Sequence, residues 1–226
     1  MSAPSTPGPR PPLDPDAACR LVSAAQARAA ILVEGWSDQA ALEALARRRG
    51  RDLLAEGIVV VPIGGATNLH RFVQALGPHG LGVRLAGLCD IAELAHVRRG
   101  LERAGVTTSA GVTTGAGVTT GAGVTTGAGT EDHGFYACDA DLEDELIRAL
   151  GTETVERVLD AEGDLASFRR FQDQPAQRGR DLHAQLRRFL GTRSGRKVRY
   201  GALLVDALEL DRVPRALDLA LAHVHG

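Results

Sequence analysis

The sequence predicts an α/β fold: a mostly parallel sheet of about four strands flanked by helices, followed by a C-terminal helical cap. Three observations carry this. Short apolar runs alternate with amphipathic stretches through residues 16–150. The runs are continuously apolar, the pattern of strands covered on both faces of a parallel sheet. Beyond residue 151 the apolar spacing is helical throughout.

Each element follows in order. Residues 1–15, MSAPSTPGPRPPLDP, hold six of the ten prolines and read as a disordered tail. Residues 16–29 read as an alanine-rich helix. ILVEG, residues 31–35, is a strand that ends in a carboxylate, and a helix is expected from Asp38 to Arg49. IVVVPIGG, residues 58–65, is a second strand, whose glycine pair permits a tight turn into a helix from Asn68 to Leu76. VRLAGLCD, residues 83–90, is a third strand, again ending in an acid, before a helix from Ala92 to Arg103. FYACDAD, residues 135–141, is a fourth strand, and DLEDELIRALG is the helix after it. Between them, residues 105–130 carry a six-residue repeat, GVTTGA or GVTTSA, beginning at Gly105, Gly111, Gly117 and Gly123. One valine per repeat buries too little for a β-helix, so a flexible insertion is expected. Residues 151–226 divide into about five short helices punctuated by glycines and Pro214, expected to pack on the sheet.

Composition narrows the function. Net charge is -2, so no global basic field advertises nucleic acid, and such binding needs a local patch. Ten positive charges lie between Arg169 and Arg199 and supply one; the bland alternative is a solvated helical face. Cys19, Cys89 and Cys138 form no CxxC motif, which suggests a reducing compartment; Cys89 and Cys138 read as small core residues. There is no signal-peptide pattern and no run of 18 apolar residues, so a cytoplasmic location without membrane spanning is expected. Of 26 basic residues only Lys197 is a lysine, and a lone lysine in so arginine-biased a chain invites a chemical role.

Glu34, Asp90 and the pair Asp139 and Asp141 all fall at the carboxyl ends of strands, where open α/β sheets bind ligands. Converging acids repel one another, by on the order of 1 kcal/mol at about 4 Å in water and several times more when half-buried. A divalent cation with hard oxygen ligands compensates. No His or Cys cluster favours zinc, and His223 with His225 is not a metal pair, so Mg²⁺ is expected, with Mn²⁺ possible. Other readings stay open. Asp38 suits a helix N-terminus after Ser37 as cap. Asp141, Glu143, Asp144 and Glu145 suit the N-terminal end of a helix dipole. Trp36 reads as a lid or as a packing residue.

VEGWSD, then a strand ending in GG, then LAGLCD, resembles a TOPRIM domain. The wider pattern, LVEGxSDxxAL, GIVVVPIGGATN, a late DLEDEL and a basic segment with a lysine, looks most like the TOPRIM region of OLD-type (overcoming lysogenisation defect) endonucleases. The resemblance covers residues 30–150, with the cap matching through Lys197. It implies an Mg²⁺-dependent DNA endonuclease or related phosphodiester-transfer enzyme. Glu34 would be metal ligand or general base, with Asp38, Asp90, Asp141 and Glu143 as metal ligands. Lys197 would stabilise the phosphate in the transition state, and Arg193, Arg196 and Arg199 would contact nucleic acid. The DxD motif of the family is broken: Ala92 stands in the second acidic place, and Glu93 follows one residue later. This break supports an alternative, a catalytically weakened module that binds nucleic acid or a partner ATPase. Full OLD-type proteins carry an ABC-type ATPase before the TOPRIM region; no GxxxxGK[ST] occurs here, so a stand-alone protein or a separate ATPase partner is expected. A phosphatase of the HAD type is disfavoured, because its DxD would follow the first strand, where EGWSD stands.

Overall fold

The structure, a computed structural model, describes residues 11–106, 129–192 and 194–225. The first ten residues of the proline-rich stretch, most of the repeat and Arg193 lie outside these.

The sheet has four parallel strands, β1 (Ala29–Val33), β2 (Ile58–Pro62), β3 (Arg84–Asp90) and β4 (Phe135–Cys138), in the order β2-β1-β3-β4. The helices between them are α2 (Trp36–Arg48) after β1, α3 (Leu69–Leu76) after β2 and α4 (Leu94–Arg103) after β3. Helix α1 (Pro15–Ala24) precedes β1, and α5 (Leu142–Leu150) follows β4. Five more helices complete the described chain: α6 (Thr152–Ala161), α7 (Leu165–Gln172), α8 (Leu182–Gly191), α9 (Ser194–Ala207) and α10 (Arg215–His223).

The continuous apolar runs have their predicted cause. Alternate strand residues point to opposite faces, and both faces are covered. Ile31, Val33, Ile58, Val60 and Leu88 pack with α2 and the C-terminal helices α5–α10. Ala30, Leu32, Val59, Val61 and Cys89 pack with α1, α3 and α4. The low aromatic content is met by Ala, Leu and Val, as expected, with one aromatic nucleus where Phe168, Phe171 and Phe189 stack between α7 and α8.

Strand and helix ends differ in detail from expectation. Pro15 begins α1, with the Asp14 carboxylate accepting from the Ala17 N–H at 2.7 Å. Proline is tolerated there because a first-turn amide has no helical partner. Just before it, the Leu13 N–H donates to the Pro62 carbonyl at 3.0 Å, and the Gln39 side chain donates to the Val60 carbonyl at 3.3 Å. With Pro62 itself lacking an N–H, the outer edge of β2 is blunted against strand addition.

The order β2-β1-β3-β4 places the topological switch point between β1 and β3, where successive connections leave in opposite directions. One helix contact positions what faces that crevice. Gly201 of α9 lies against the start of α2, where a Cβ would sit 2.6 Å from the Ser37 carbonyl oxygen. Glycine permits this approach, and it brings the preceding turn of α9 to the tip of β1. Gly201→Ala is expected to push the two helices apart at a cost of about 1–3 kcal/mol. A lower urea midpoint with an unchanged m-value is the expected reading; an unaltered midpoint would show that the close approach is dispensable.

Candidate functional site

Glu34 is the first residue past β1, and Asp90 is the last of β3, at the crevice between the two neighbouring strands. The Asp90 N–H donates to Glu34 Oε1 at 3.2 Å, which joins the two strand ends directly. Asp38 lies in the first turn of α2, and its Oδ2 accepts from the Gly35 N–H at 2.8 Å. The cap of this helix is therefore Gly35 with a returning bond from Asp38, not Ser37, which is buried. From the far side, α9 presents Lys197, whose Nζ meets Glu143 Oε2 of α5 at 3.1 Å. Glu34, Asp38, Asp90, Glu143 and Lys197 all line one cleft of about 370 Å³, together with Trp36 and the Gly64–Gly65 turn.

The electrostatics are those of crowded acids. Burial and the charges of Glu34, Asp141 and Asp38 push Asp90 up to about 7, against some relief from Lys197. Asp38 keeps some accessible surface but is densely enclosed; burial and the Glu143 charge push it up to about 7 as well. Glu34 is raised by burial, with the Asp90 N–H opposing and Glu93 adding to the shift. Glu143 is raised by burial although Lys197 draws it down, and its Oε1 is buried without a hydrogen-bond partner. Burial favours neutral Lys197, but Glu143 and Asp38 outweigh it and hold the ammonium charged.

Residues 27–91 match the model of the family described as "Overcoming lysogenization defect protein-like, TOPRIM domain". The C-terminal region of the Xanthomonas campestris pv. campestris OLD protein is similar over nearly the whole chain. Its platinum-phased structure is 28% identical with a TM-score of 0.59, covering 88% of this chain and 92% of that one. The iodine-phased structure of the same region is 25% identical with a TM-score of 0.60, covering 88% and 94%. The C-terminal region of the Burkholderia pseudomallei OLD protein, 23% identical with a TM-score of 0.58 over 88% and 96%, shares the fold. No curated protein matches the chain. Residues 27–91 are a TOPRIM domain of the OLD type.

The remaining residues singled out in the sequence divide into those at the cleft and those held elsewhere. Asp141 caps α5, its Oδ1 accepting from the Asp144 N–H at 2.8 Å, while its Oδ2 takes two bonds from Arg187 at 2.8 and 2.6 Å. It is near enough to raise Asp90 but does not line the cleft. Asp139 faces outward and pairs with Arg148 at 3.1 Å. Ala92 leaves a gap in the DxD motif, and Glu93, one residue on, is close enough to Glu34 to act on its pKa. Arg196 stacks 4.0 Å over Phe189 and bonds Thr192 Oγ1 at 2.7 Å, and its side chain is only 12% exposed. Arg199 is taken up by Glu162 and Asp164. Trp36 half-lines the cleft and donates from Nε1 to the Pro11 carbonyl at 3.3 Å. Cys89 and Cys138 are buried core thiols, raised by burial, Cys89 to about 12.

Sequence reasoning missed Gly201, because an isolated helical glycine carries no signal of what it faces. It also missed the ties from α8 to the acids of α5. His183 Nε2 lies 2.7 Å from Asp144 Oδ1, and Arg187 holds Asp141 as above. Ala140, in the left-handed region at φ 68°, makes the turn that carries Asp141 to its capping position.

Among the described residues no three carboxylate, imidazole or thiol groups are gathered closely enough to hold an ion by themselves. The donor set still fits Mg²⁺, which keeps several waters and takes as few as one or two carboxylates. Acids that share one lysine, with one buried oxygen unpartnered, leave negative charge for a cation to offset. Also among the described residues, no helix is long and apolar enough to cross a membrane.

The raised carboxyls set the sign of the pH response. A carboxyl that binds its proton more tightly when folded adds stability as pH falls from about 7 toward 4, and loses it as pH rises through about 7. His223 acts oppositely, since burial lowers its pKa from 6.5. A variant comparison isolates the carboxyl effect. Without divalent cations, Asp90→Asn is expected to melt above the wild type at about pH 8, by on the order of 1 kcal/mol or roughly 2–4 °C after solvent screening. The gap should narrow as pH falls below about 7 and close only near pH 4, where Asp90 is protonated in the unfolded chain as well. Differential scanning calorimetry reads this, and a gap independent of pH would show that Asp90 is not strained by its neighbours.

Proposed function

We propose that this TOPRIM domain cleaves phosphodiester bonds of nucleic acid with a divalent cation, as an Mg²⁺-dependent endonuclease for which Mn²⁺ can substitute. The observation that carries the reading is the gathering of Glu34, Asp38 and Asp90 in one cleft with a single protonated lysine. Crowded acids at a switch point are costly unless a ligand of opposite charge uses them.

Glu34 and Asp90 would hold the cation with water completing its shell, and Asp38 and Glu143 would stand at the margin. Bound there, it would act as a Lewis acid, offsetting negative charge on the phosphodiester. Each residue has its own task. Glu34 Oε1 is held by the Asp90 N–H, leaving Oε2 to accept a proton from water. Lys197 keeps its proton and donates from Nζ to the phosphate oxygen that gains charge. Glu143 holds Lys197 in reach, and Asp38 fixes the turn that carries Glu34. Asp141 acts in this reading as the cap of α5 instead of a ligand. DNA is the expected substrate, and a separate ABC-type ATPase is a candidate partner.

Nicking of supercoiled plasmid in Mg²⁺ is the test. Glu34→Gln and Lys197→Ala are each expected to lower the rate by about 10²-fold or more. A Glu34→Gln protein that nicks at the wild-type rate removes Glu34 from the chemistry. The gap at Ala92 supports a second reading, a weakened module that binds nucleic acid or a partner ATPase without cutting. Calorimetric titration separates the two: no heat of Mg²⁺ binding at this cleft favours the second.

A further inference from the structure

A cleft lined by carboxylates repels a polyanion, so nucleic acid needs a cationic surface beside it. The expected arginines of α9 do not supply one among the described residues. Arg196 is enclosed between Phe189 and Thr192, and Arg199 is held by Glu162 and Asp164. The exposed cation tied to the acids of the cleft is Arg187 of α8, which bonds Asp141 and feels the charge of Asp90.

Helical spacing places Arg187 and Arg188 on the outer face of α8, with Leu186, Phe189 and Leu190 buried behind them. Arg180, in the turn before the helix, is also exposed, its Nε donating to the Ala176 carbonyl at 3.1 Å. Arg180 and Arg188 have no carboxylate partner among the described residues. Among the described residues Arg187 bonds only Asp141 Oδ2, and its side chain is 42% exposed. Between the arginines the face carries Ala184 and Gly191, and a Cβ added at Gly191 would meet open space. A phosphate backbone can therefore lie close to this helix.

We propose that the outer face of α8, with Arg180, Arg187 and Arg188, binds the phosphate backbone of nucleic acid and guides the strand into the acidic cleft; this rests on the reading of that cleft as a phosphodiester site. Arg187 is the link between the two. Its partner Asp141 caps the helix that carries Glu143, so a phosphate that replaces Asp141 on the guanidinium sits at the rim of the cleft. Arginine suits the exchange, because its planar donors fit carboxylate and phosphate alike.

Anisotropy of a fluorescein-labelled DNA oligonucleotide, titrated with the full chain carrying Glu34→Gln at several salt concentrations, tests this. Adding Arg187→Gln and Arg188→Gln together is expected to weaken binding about tenfold or more. The slope of log affinity against log salt should also fall by about 2. Arg199→Gln should leave both quantities as they were. Arg188→Gln alone breaks no ion pair, and its expected slope change of about 1 keeps the test open if the double variant does not fold. Unchanged affinity and slope in the α8 variants, an equal loss in Arg199→Gln, or no binding by the parent overturns the assignment. Plasmid nicking by the wild type is read separately, so a chain that binds through α8 without cutting sinks only the catalytic reading.

Discussion

Repulsion between carboxylates at the mouth of the sheet is the constraint on which the rest of the structure turns. Glu34 and Asp90 end adjacent strands, so the parallel register of β1 and β3 forces them together. Asp38 joins them because the first turn of α2 must close on Gly35. None of these positions is free to move without unpairing the sheet or uncapping the helix. The fold thus accepts a charge problem in a half-buried place and answers it only in part.

The partial answer is Lys197, and it depends on distant packing. Its helix reaches the cleft only because Gly201 lets α9 touch the α2 backbone. Glu143 then anchors the ammonium from α5. Sheet, first crossover helix and C-terminal helices meet at this point, so the cap belongs to the site as well as to the core. The carboxyls of Asp38 and Asp90, each pushed up to about 7, mark the residual imbalance.

The arginines follow a different logic. Several of those that sequence counting gathered into one basic patch are spent on internal acids: Arg169 on Glu156, Arg196 on Asp164 and Arg199 on Glu162. Most such pairs are exposed and contribute little stability individually, but they decide where positive charge remains for a partner. On α8 that remainder lies beside Asp141, while Arg170 and Arg178 are exposed elsewhere in the cap.

Much of this was legible in the residues alone. Apolar runs fix strands by local periodicity, glycine pairs mark turns, and an acid at the end of an apolar run must emerge at the carboxyl edge of a parallel sheet. Those are short-range rules, so the sequence by itself determined the alternating α/β plan, the helical C-terminal region and the candidacy of Glu34, Asp38, Asp90 and Lys197. Tertiary structure alone decided which acids share the cleft, that Asp139 and Asp141 are bound to arginines outside it, and that Arg196 and Arg199 are occupied. Such choices depend on which side chains meet across long stretches of chain, and helical or strand periodicity carries no information about partners that distant.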